Sequence, residues 1–79
     1  MYICDMEIKI GEYYEDCRYH PNLCVSVNYD DDSIDGVSLL IGEEGNCSLN
    51  HCGIKKLTEK EAFSLLNIWE NGEINNYIN

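Results

Sequence analysis

Six cysteine and histidine residues in two short segments are the part of this sequence that could do chemistry. They are Cys17, His20 and Cys24, in a C-x2-H-x3-C pattern, and Cys47, His51 and Cys52, in a C-x3-H-C pattern. The second segment begins after an interval of 22 residues. Thiolate and imidazole are preferred ligands of zinc, and a structural zinc site takes four of them, usually as two close pairs. We therefore expect one structural zinc ion to link the two segments.

Six candidates compete for the four positions of such a site. Cys24 lies in a segment where Leu23, Val25 and Val27 alternate with it, so a regular strand would point Cys24 away from the core. Cys47 alternates with Leu49 and would share its face. The predicted ligands are Cys17, His20, Cys47 and Cys52, with Cys24 and His51 as the alternatives.

Nucleophilic or redox chemistry is the competing interpretation of the same residues. Cys17 with His20, or Cys52 with His51, could form a Cys–His pair, but neither segment offers an evident oxyanion hole. No CxxC motif is present, which disfavours a thioredoxin-like activity. A simpler alternative is that the cysteines are free thiols buried in the core and bind no ligand. We expect that the protein is not an enzyme.

The size of the chain gives a reason for a metal staple. It has 79 residues and a mass of 9.1 kDa, with 44% hydrophobic and 25% charged residues, which is typical of one small globular domain. A core of this size contributes only about 3–5 kcal/mol of net stability.

The N-terminus lacks the basic and apolar regions of a signal peptide, and no segment has the ~20 apolar residues of a membrane span. We expect a cytoplasmic protein, in which cysteines stay reduced.

The net charge of −10 is concentrated in one part of the chain. Residues 1–54 carry eleven acidic residues against two basic ones, and residues 55–79 carry four against three. Such a surface repels a phosphate backbone, so the expected partner is a basic protein that handles nucleic acid. Tyrosines beside the acidic loops add contact area. The candidate partner contacts are Tyr13, Tyr14, Asp30, Asp31, Asp32, Asp35, Glu43 and Glu44.

Apolar periodicity predicts the elements that position these residues. Strands are expected at 6–10, 23–28, 34–41, 47–50 and 54–57, with a long connection at 12–22. Thr58 and Glu61 form a capping-box pattern, and an apolar face of period 3.6 predicts a helix that ends at Asn71-Gly72. The chain is interpreted as one domain, 1–79: an acidic, mostly β part (1–57), a helix (58–71) and a tail (72–79). The fold class is α+β: a small antiparallel β-meander or SH3-like barrel of four or five strands with one C-terminal helix, stapled by zinc.

Three stretches resemble a family of small bacterial proteins that contain the same Cys and His residues. These stretches are GEYYEDCRYHPNLC, DDSIDGVSLL and NCSLNHCGIKKLTEKEA, within residues 8–63. This resemblance implies a shared structural site, and it implies no activity.

A looser resemblance rests on small size, acidity and residue usage. In these respects the chain is similar to phage-encoded anti-CRISPR proteins, in particular to zinc-containing inhibitors of type II-A RNA-guided nucleases. That resemblance implies an inhibitor in the host cytoplasm that hinders loading of guide or target nucleic acid into the basic channel of the nuclease. The alternative is a bacterial zinc-binding adaptor or regulator with an unrelated protein partner.

Overall fold

The fold is α+β, an antiparallel sheet followed by two helices. A computed structural model describes residues 7–49 and 54–78. The elements are β1 (Tyr13–Glu15), β2 (Pro21–Asn28), β3 (Ser33–Ser38), β4 (Glu44–Ser48), β5 (Lys55–Leu57), α1 (Glu59–Glu70) and α2 (Ile74–Ile78). The five strands are ordered β4-β3-β2-β1-β5, so the first four form a meander and β5 returns to pair with β1. Within the described residues, β4 and β5 are the two edges of this sheet and do not pair with each other.

The first predicted strand, at 6–10, is wrong over the residues that the structure describes. Residues 7–10 form no strand, and Met6 lies outside the described residues. Instead, a turn follows, in which the Lys9 carbonyl accepts a hydrogen bond from Glu12 N, and Gly11 adopts a φ of 91° that favours glycine. The first strand of the described residues is β1. It lies inside the predicted long connection, and the sequence does not reveal it because three residues are too few to show a periodic pattern.

Apolar residues cover both faces of the sheet and form two separate cores. The first core consists of Ile8, Tyr14, Cys24, Ile34 and Ile54, with Val27, Cys47 and Leu49 packed against it. The second lies between the sheet and α1 and consists of Leu57, Ala62 and Leu65, with Tyr13, Leu39, Trp69 and Ile74 packed against it. Neighbouring residues of β1 therefore enter different cores: Tyr13 faces α1, and Tyr14 is buried on the opposite face.

A β-bulge in β2 overturns the expected orientation of Cys24. Cys24 pairs with Gly36 and Ser26 with Asp35, so β2 advances two residues while β3 advances one. The extra residue, Val25, is 37% exposed, and Cys24 and Val27 both contact the first core. The prediction that Cys24 points away from the core is wrong, because it assumed unbroken alternation and only one buried face.

The helix begins as the capping box predicts. Thr58 Oγ1 accepts a hydrogen bond from Glu61 N, and the Glu61 carboxylate accepts one from Thr58 N. The helix ends at the cap Asn71, and Gly72 follows with a φ of 74°. In the part of the chain described here, no helix is long and apolar enough to cross a membrane.

A second helix, α2, forms in the polar tail, where the sequence offered Ile74, Tyr77 and Ile78 as docking residues. Tyr77 donates a hydrogen bond to the buried carboxylate of Glu15 on β1, and the Tyr77 ring meets the Tyr19 ring edge-on. Ile74 packs against the second core. A contact between positions 62 residues apart leaves no local signal in the sequence.

Gly36 supplies a sharp test of the packing beneath the sheet. A Cβ at this position would overlap the phenol ring and hydroxyl of the buried Tyr14. We expect Gly36→Ala to lower the free energy of unfolding by about 1–3 kcal/mol, measured by denaturant titration. The control is Gly45→Ala, on the residue paired with Gly36, because a Cβ there meets nothing within 4 Å. Equal stability of the two variants would contradict the described packing of Tyr14.

The docking of α2 predicts a loss of stability at alkaline pH. Burial, followed by the hydrogen bond to Glu15, raises the pKa of Tyr77 from 10.0 to about 12. Because the folded-state pKa is the higher one, this stability is complete below pH 10.0 and is lost as the pH rises through about 12. We expect Tyr77→Phe to reduce the part of the alkaline loss that occurs in this window, measured by denaturant titration at each pH. Tyr29→Phe, on a residue that is 84% exposed, is the control and should leave the profile unchanged.

Candidate functional site

Cys17 and Cys47, from the two segments of the predicted zinc pattern, line the same cavity. This cavity has a volume of about 170 Å³, and its other lining residues are Asn46, Ser48 and Ile54. Cys17 is exposed in the turn between β1 and β2, whereas Cys47 is half-buried in β4. Burial is the main cause that raises the pKa of the Cys47 thiol, and the nearby Asp16 carboxylate and Cys17 add to it. The tertiary fold thus brings together two of the four predicted ligands.

The carboxylate of Asp16 shapes the turn that presents Cys17. Its Oδ1 accepts hydrogen bonds from the backbone N–H of Arg18 and of His20, both at 2.9 Å, and its Oδ2 accepts one from Asn22 Nδ2 at 3.0 Å. Asp16 is only 5% exposed, so these donors replace water around a buried charge. The turn also holds Tyr19 at a φ of 65°, a left-handed conformation that costs energy in a non-glycine residue. Sequence reasoning missed Asp16 as a positioning residue, although an Asp just before a turn is a signal for such side chain-to-backbone bonds.

His20 lies in a different environment from the two cysteines. It is 9% exposed, and its ring meets the Trp69 ring edge-on with a centroid distance of 5.1 Å. Its Nδ1 is 3.4 Å from the Ser38 hydroxyl. Trp69 Nε1 donates a hydrogen bond to the carbonyl of Tyr19, which fixes the indole beside this turn. Through these contacts His20 packs between the sheet and α1. His20 does not line the cavity that contains Cys17 and Cys47.

The other candidate ligands fall into two groups. Cys24 is 1% exposed within the first core, its thiol donates to the Ser26 carbonyl at 3.6 Å, and burial raises its pKa. His51 and Cys52 lie outside the described residues. Among residues 7–49 and 54–78 alone, no group of three or more potential ligands is positioned to hold a metal ion. Three of the four predicted ligands, Cys17, His20 and Cys47, thus lie in the described residues, and among them Cys17 and Cys47 line a common cavity.

A second candidate site is a polar and acidic surface on the outer part of the sheet. The helix α1 packs on β1, β2 and β5, and it leaves the same face of β3 and β4 uncovered within the described residues. Here Asn28 and Asn46 each donate a hydrogen bond to the Asp35 carboxylate, at 3.3 and 2.9 Å. Both amides also donate to the Ser33 hydroxyl, which in turn donates to Asp31. We call these five residues and the exposed acids Asp30, Asp32, Glu43 and Glu44 the acidic face.

No acid of this face forms an ion pair within the described residues. The three ion pairs found there join Lys9 to Glu7, Arg18 to Asp16 and Lys56 to Glu12. Asp30 to Asp32 lie in the turn between β2 and β3, and Glu43 and Glu44 lie at the opposite end of β3. Because β3 has six residues and a strand rises about 3.3 Å per residue, the carboxylates extend over about 20 Å.

The two predicted tyrosine contacts do not belong to this surface. Tyr14 is 1% exposed in the first core, and burial raises its pKa well above the ordinary range of a phenol. Tyr13 is half-buried, and its ring packs against Phe63 of α1 at a centroid distance of 5.9 Å. In this structure both side chains serve the cores, and only the six predicted acidic contacts lie on the acidic face.

Comparison of the chain with protein-family models, with curated proteins and with solved structures gives no match. The functional interpretation therefore depends on the geometry of these two sites.

Because Cys17 and Cys47 line one cavity, we expect the metal content of the protein to depend on both thiols. If they are zinc ligands, protein purified without chelator should contain one zinc per chain, and Cys17→Ser or Cys47→Ser should lose it. The metal content is measured by atomic emission, and thermal melting before and after chelation measures the effect on folding.

The matched control for the metal experiment is Cys24→Ala, which removes a core thiol that bonds to a backbone carbonyl. This variant should melt at a lower temperature and still retain its zinc. Loss of zinc from Cys24→Ala alone would assign the ligand role to the alternative cysteine, and zinc-free wild-type protein would refute the metal site.

Proposed function

We propose that this chain is a non-enzymatic inhibitor that docks its acidic face onto the nucleic-acid-binding surface of a basic protein. The observation that carries this proposal is the fixed position of the Asp35 carboxylate between Asn28 and Asn46 on an open sheet face. A carboxylate that is already held in place loses little conformational entropy when it meets a cation.

The mechanism of inhibition is electrostatic and steric occlusion. Nucleic-acid-binding surfaces present lysine and arginine side chains to a line of phosphates. The acidic face presents carboxylates without ion pairs over about 20 Å on an open sheet face, so it competes for the same cations. Complementary charge accelerates encounter with the partner and makes the association sensitive to salt.

A structural zinc ion contributes to this function by holding the acidic face in shape. Cys17 and Cys47 would supply two ligands, and Cys52 with His51 or His20 would complete the site. Cys47 lies on β4, one residue from Asn46, so a metal ion there restrains the strand that orders Asp35. The ion supplies folding free energy on the order of 10 kcal/mol, and it takes no part in a reaction.

The proposed partner is a type II RNA-guided nuclease, as the likeness to anti-CRISPR proteins in size, charge and residue usage implies. Such a nuclease holds its heteroduplex in a positively charged channel, which fits an acidic competitor. The alternative partner class, for a zinc-binding adaptor or regulator, is a protein without a nucleic-acid channel.

The acidic face predicts a specific loss of binding. In the test variant Asp30, Glu43 and Glu44 become Asn or Gln, because none of these side chains takes part in the hydrogen bonds described above. We expect about 10- to 100-fold weaker binding to purified guide-free nuclease at low salt, and a shallower salt dependence, measured by titration calorimetry.

The matched control removes three charges away from the acidic face, at Glu59, Glu70 and Glu73. All three side chains are exposed, and this variant should bind like the wild type. Equal weakening of both variants would show that net charge alone acts, which contradicts docking through the acidic face. Wild-type protein that binds guide-loaded and guide-free nuclease equally well would contradict occlusion of the channel, and absence of binding to either would favour the adaptor.

A further inference from the structure

One row of paired residues crosses the sheet from the half that α1 covers to the half that it leaves open. Tyr13 of β1 pairs with Leu57 of β5 on one side and with Leu23 of β2 on the other. Leu23 pairs in turn with Val37 of β3, and Val37 with Glu44 of β4. Paired residues of an antiparallel sheet point to the same face. The row begins in the second core, with Leu57 and Tyr13, and therefore continues on that face into the open half.

The apolar part of this row extends beyond the helix. Leu23 and Val37 are half-buried, and within the described residues they belong to neither core. Phe63 of α1 is 46% exposed and packs on Tyr13, so it forms the border of the covered half. Beyond this border Leu23 and Val37 form an apolar pair, and Asp35, Glu44 and Asn46 lie on the same face beside it. We call these five residues the vacant face.

The width of the vacant face matches one α-helix. Neighbouring strands are about 4.8 Å apart, so β4 and β5 are about 19 Å apart along the sheet. A helix with its side chains is about 10 Å across, so two helices side by side are needed to cover five strands. The chain places α1 over β1, β2 and β5, and α2 packs against α1. In the described part of the chain, no helix covers β3 and β4.

The acids around the apolar pair favour a basic occupant. Glu44 is the next residue of the row after Val37, and Asp35 lies on the same face two residues before Val37. Glu43, which precedes Glu44, is also exposed. An apolar stripe with carboxylates on one flank is complementary to a helix that has an apolar stripe with cations on one flank.

The five basic residues of the chain do not neutralise these acids. Three of them form ion pairs with acids outside the vacant face, and two line the pocket between β5 and α1; they are Lys9, Arg18 and Lys56 in the first group and Lys55 and Lys60 in the second. Lys9 also lines a pocket with Asp32. Asp32 precedes the start of β3, whereas Val37 is near the end of this strand, so Lys9 approaches the acidic face at its other end.

We propose that the vacant face binds a basic amphipathic α-helix of the partner protein, with apolar side chains on Leu23 and Val37 and Lys or Arg side chains beside Asp35 and Glu44. The inference rests on the function proposed above, because it gives the form of the partner segment that meets the acidic face. Helical residues at positions i, i+3, i+4 and i+7 supply the apolar stripe. A second copy of this chain does not fit, because it would bring another net charge of −10.

The probe is a synthetic peptide of about 18 residues of Leu, Lys and Ala, with Leu on one helical face, and the receptor is the full-length protein. We expect the peptide to shift the methyl resonances of Leu23 and Val37. The methyl resonances of Ile34, which points into the first core on the other face of β3, should stay in place. A peptide of the same composition with Leu on all sides, and one with Glu in place of Lys, should cause no shifts. No shifts with the first peptide, or equal shifts with all three, would overturn the proposal.

Variants of Val37 test the contact itself. Val37→Lys removes an apolar contact and adds a like charge, so it should weaken binding of the peptide at least about tenfold, measured by fluorescence anisotropy. Val37→Thr keeps the shape of the side chain and should weaken binding about threefold. The matched control is Ile78→Lys, on a residue of α2 that is 45% exposed and outside the vacant face, and it should bind like the wild type. Thermal melts identify the folded variants, and a folded Val37 variant with wild-type affinity would overturn the proposal.

Two further measurements test the helical form and the competing occupant. The circular dichroism of the peptide should gain helical signal on binding, and a proline in its middle should abolish binding. Unchanged affinity of the proline peptide would overturn a helical occupant. Sedimentation of the wild type should give a monomer. A dimer that Val37→Lys dissociates would assign the vacant face to a second copy of this chain and overturn the proposal.

The peptide assay contains no nuclease and therefore separates this inference from the proposed function. Peptide binding at Leu23 and Val37 would support the inference even if the nuclease does not bind. The reverse result is a nuclease that binds, loses affinity for the variant at Asp30, Glu43 and Glu44, and binds folded Val37→Lys like the wild type. That result would leave the proposed function standing and overturn the inference.

Discussion

The packing of Tyr13 and Tyr14 on opposite faces of β1 is the constraint on which the rest of the structure depends. This strand has three residues, yet it lies between β2 and β5 and contributes one aromatic ring to each core. Tyr14 fits only because Gly36 leaves room for its ring, and Tyr13 contacts Phe63 on the helix side. Burial of large aromatic side chains provides much of the stability of a small domain. The third residue of β1, Glu15, then holds α2 through Tyr77.

The turn that follows β1 links this packing to the candidate metal centre. Both carboxylate oxygens of Asp16 accept hydrogen bonds, from the backbone N–H groups of Arg18 and His20 and from the side chain of Asn22. This arrangement points His20 toward Trp69 and leaves Cys17 beside Cys47. The two residues of one C-x2-H motif therefore have different environments, because the turn reverses the chain between them.

The acidic face is open because of the way in which α1 covers the sheet. The helix packs on β1, β2 and β5, so β3 and β4 present a polar face on which amide side chains order the carboxylates.

Local signals in the sequence determined the elements that show an apolar periodicity or a capping motif. The capping box, the apolar face of α1, the β2–β3 hairpin and the concentration of acids in the β part were all predictable, because each depends on residues a few positions apart. The two-sided burial of the sheet was decided only by the tertiary structure. It placed Cys24 in a core, Tyr14 under Gly36 and His20 against Trp69, and it joined Cys17 to Cys47 across 30 positions. Such contacts depend on a bulge, a three-residue strand and a buried carboxylate, none of which produces a periodic pattern, and so they are defined only when the strands have paired.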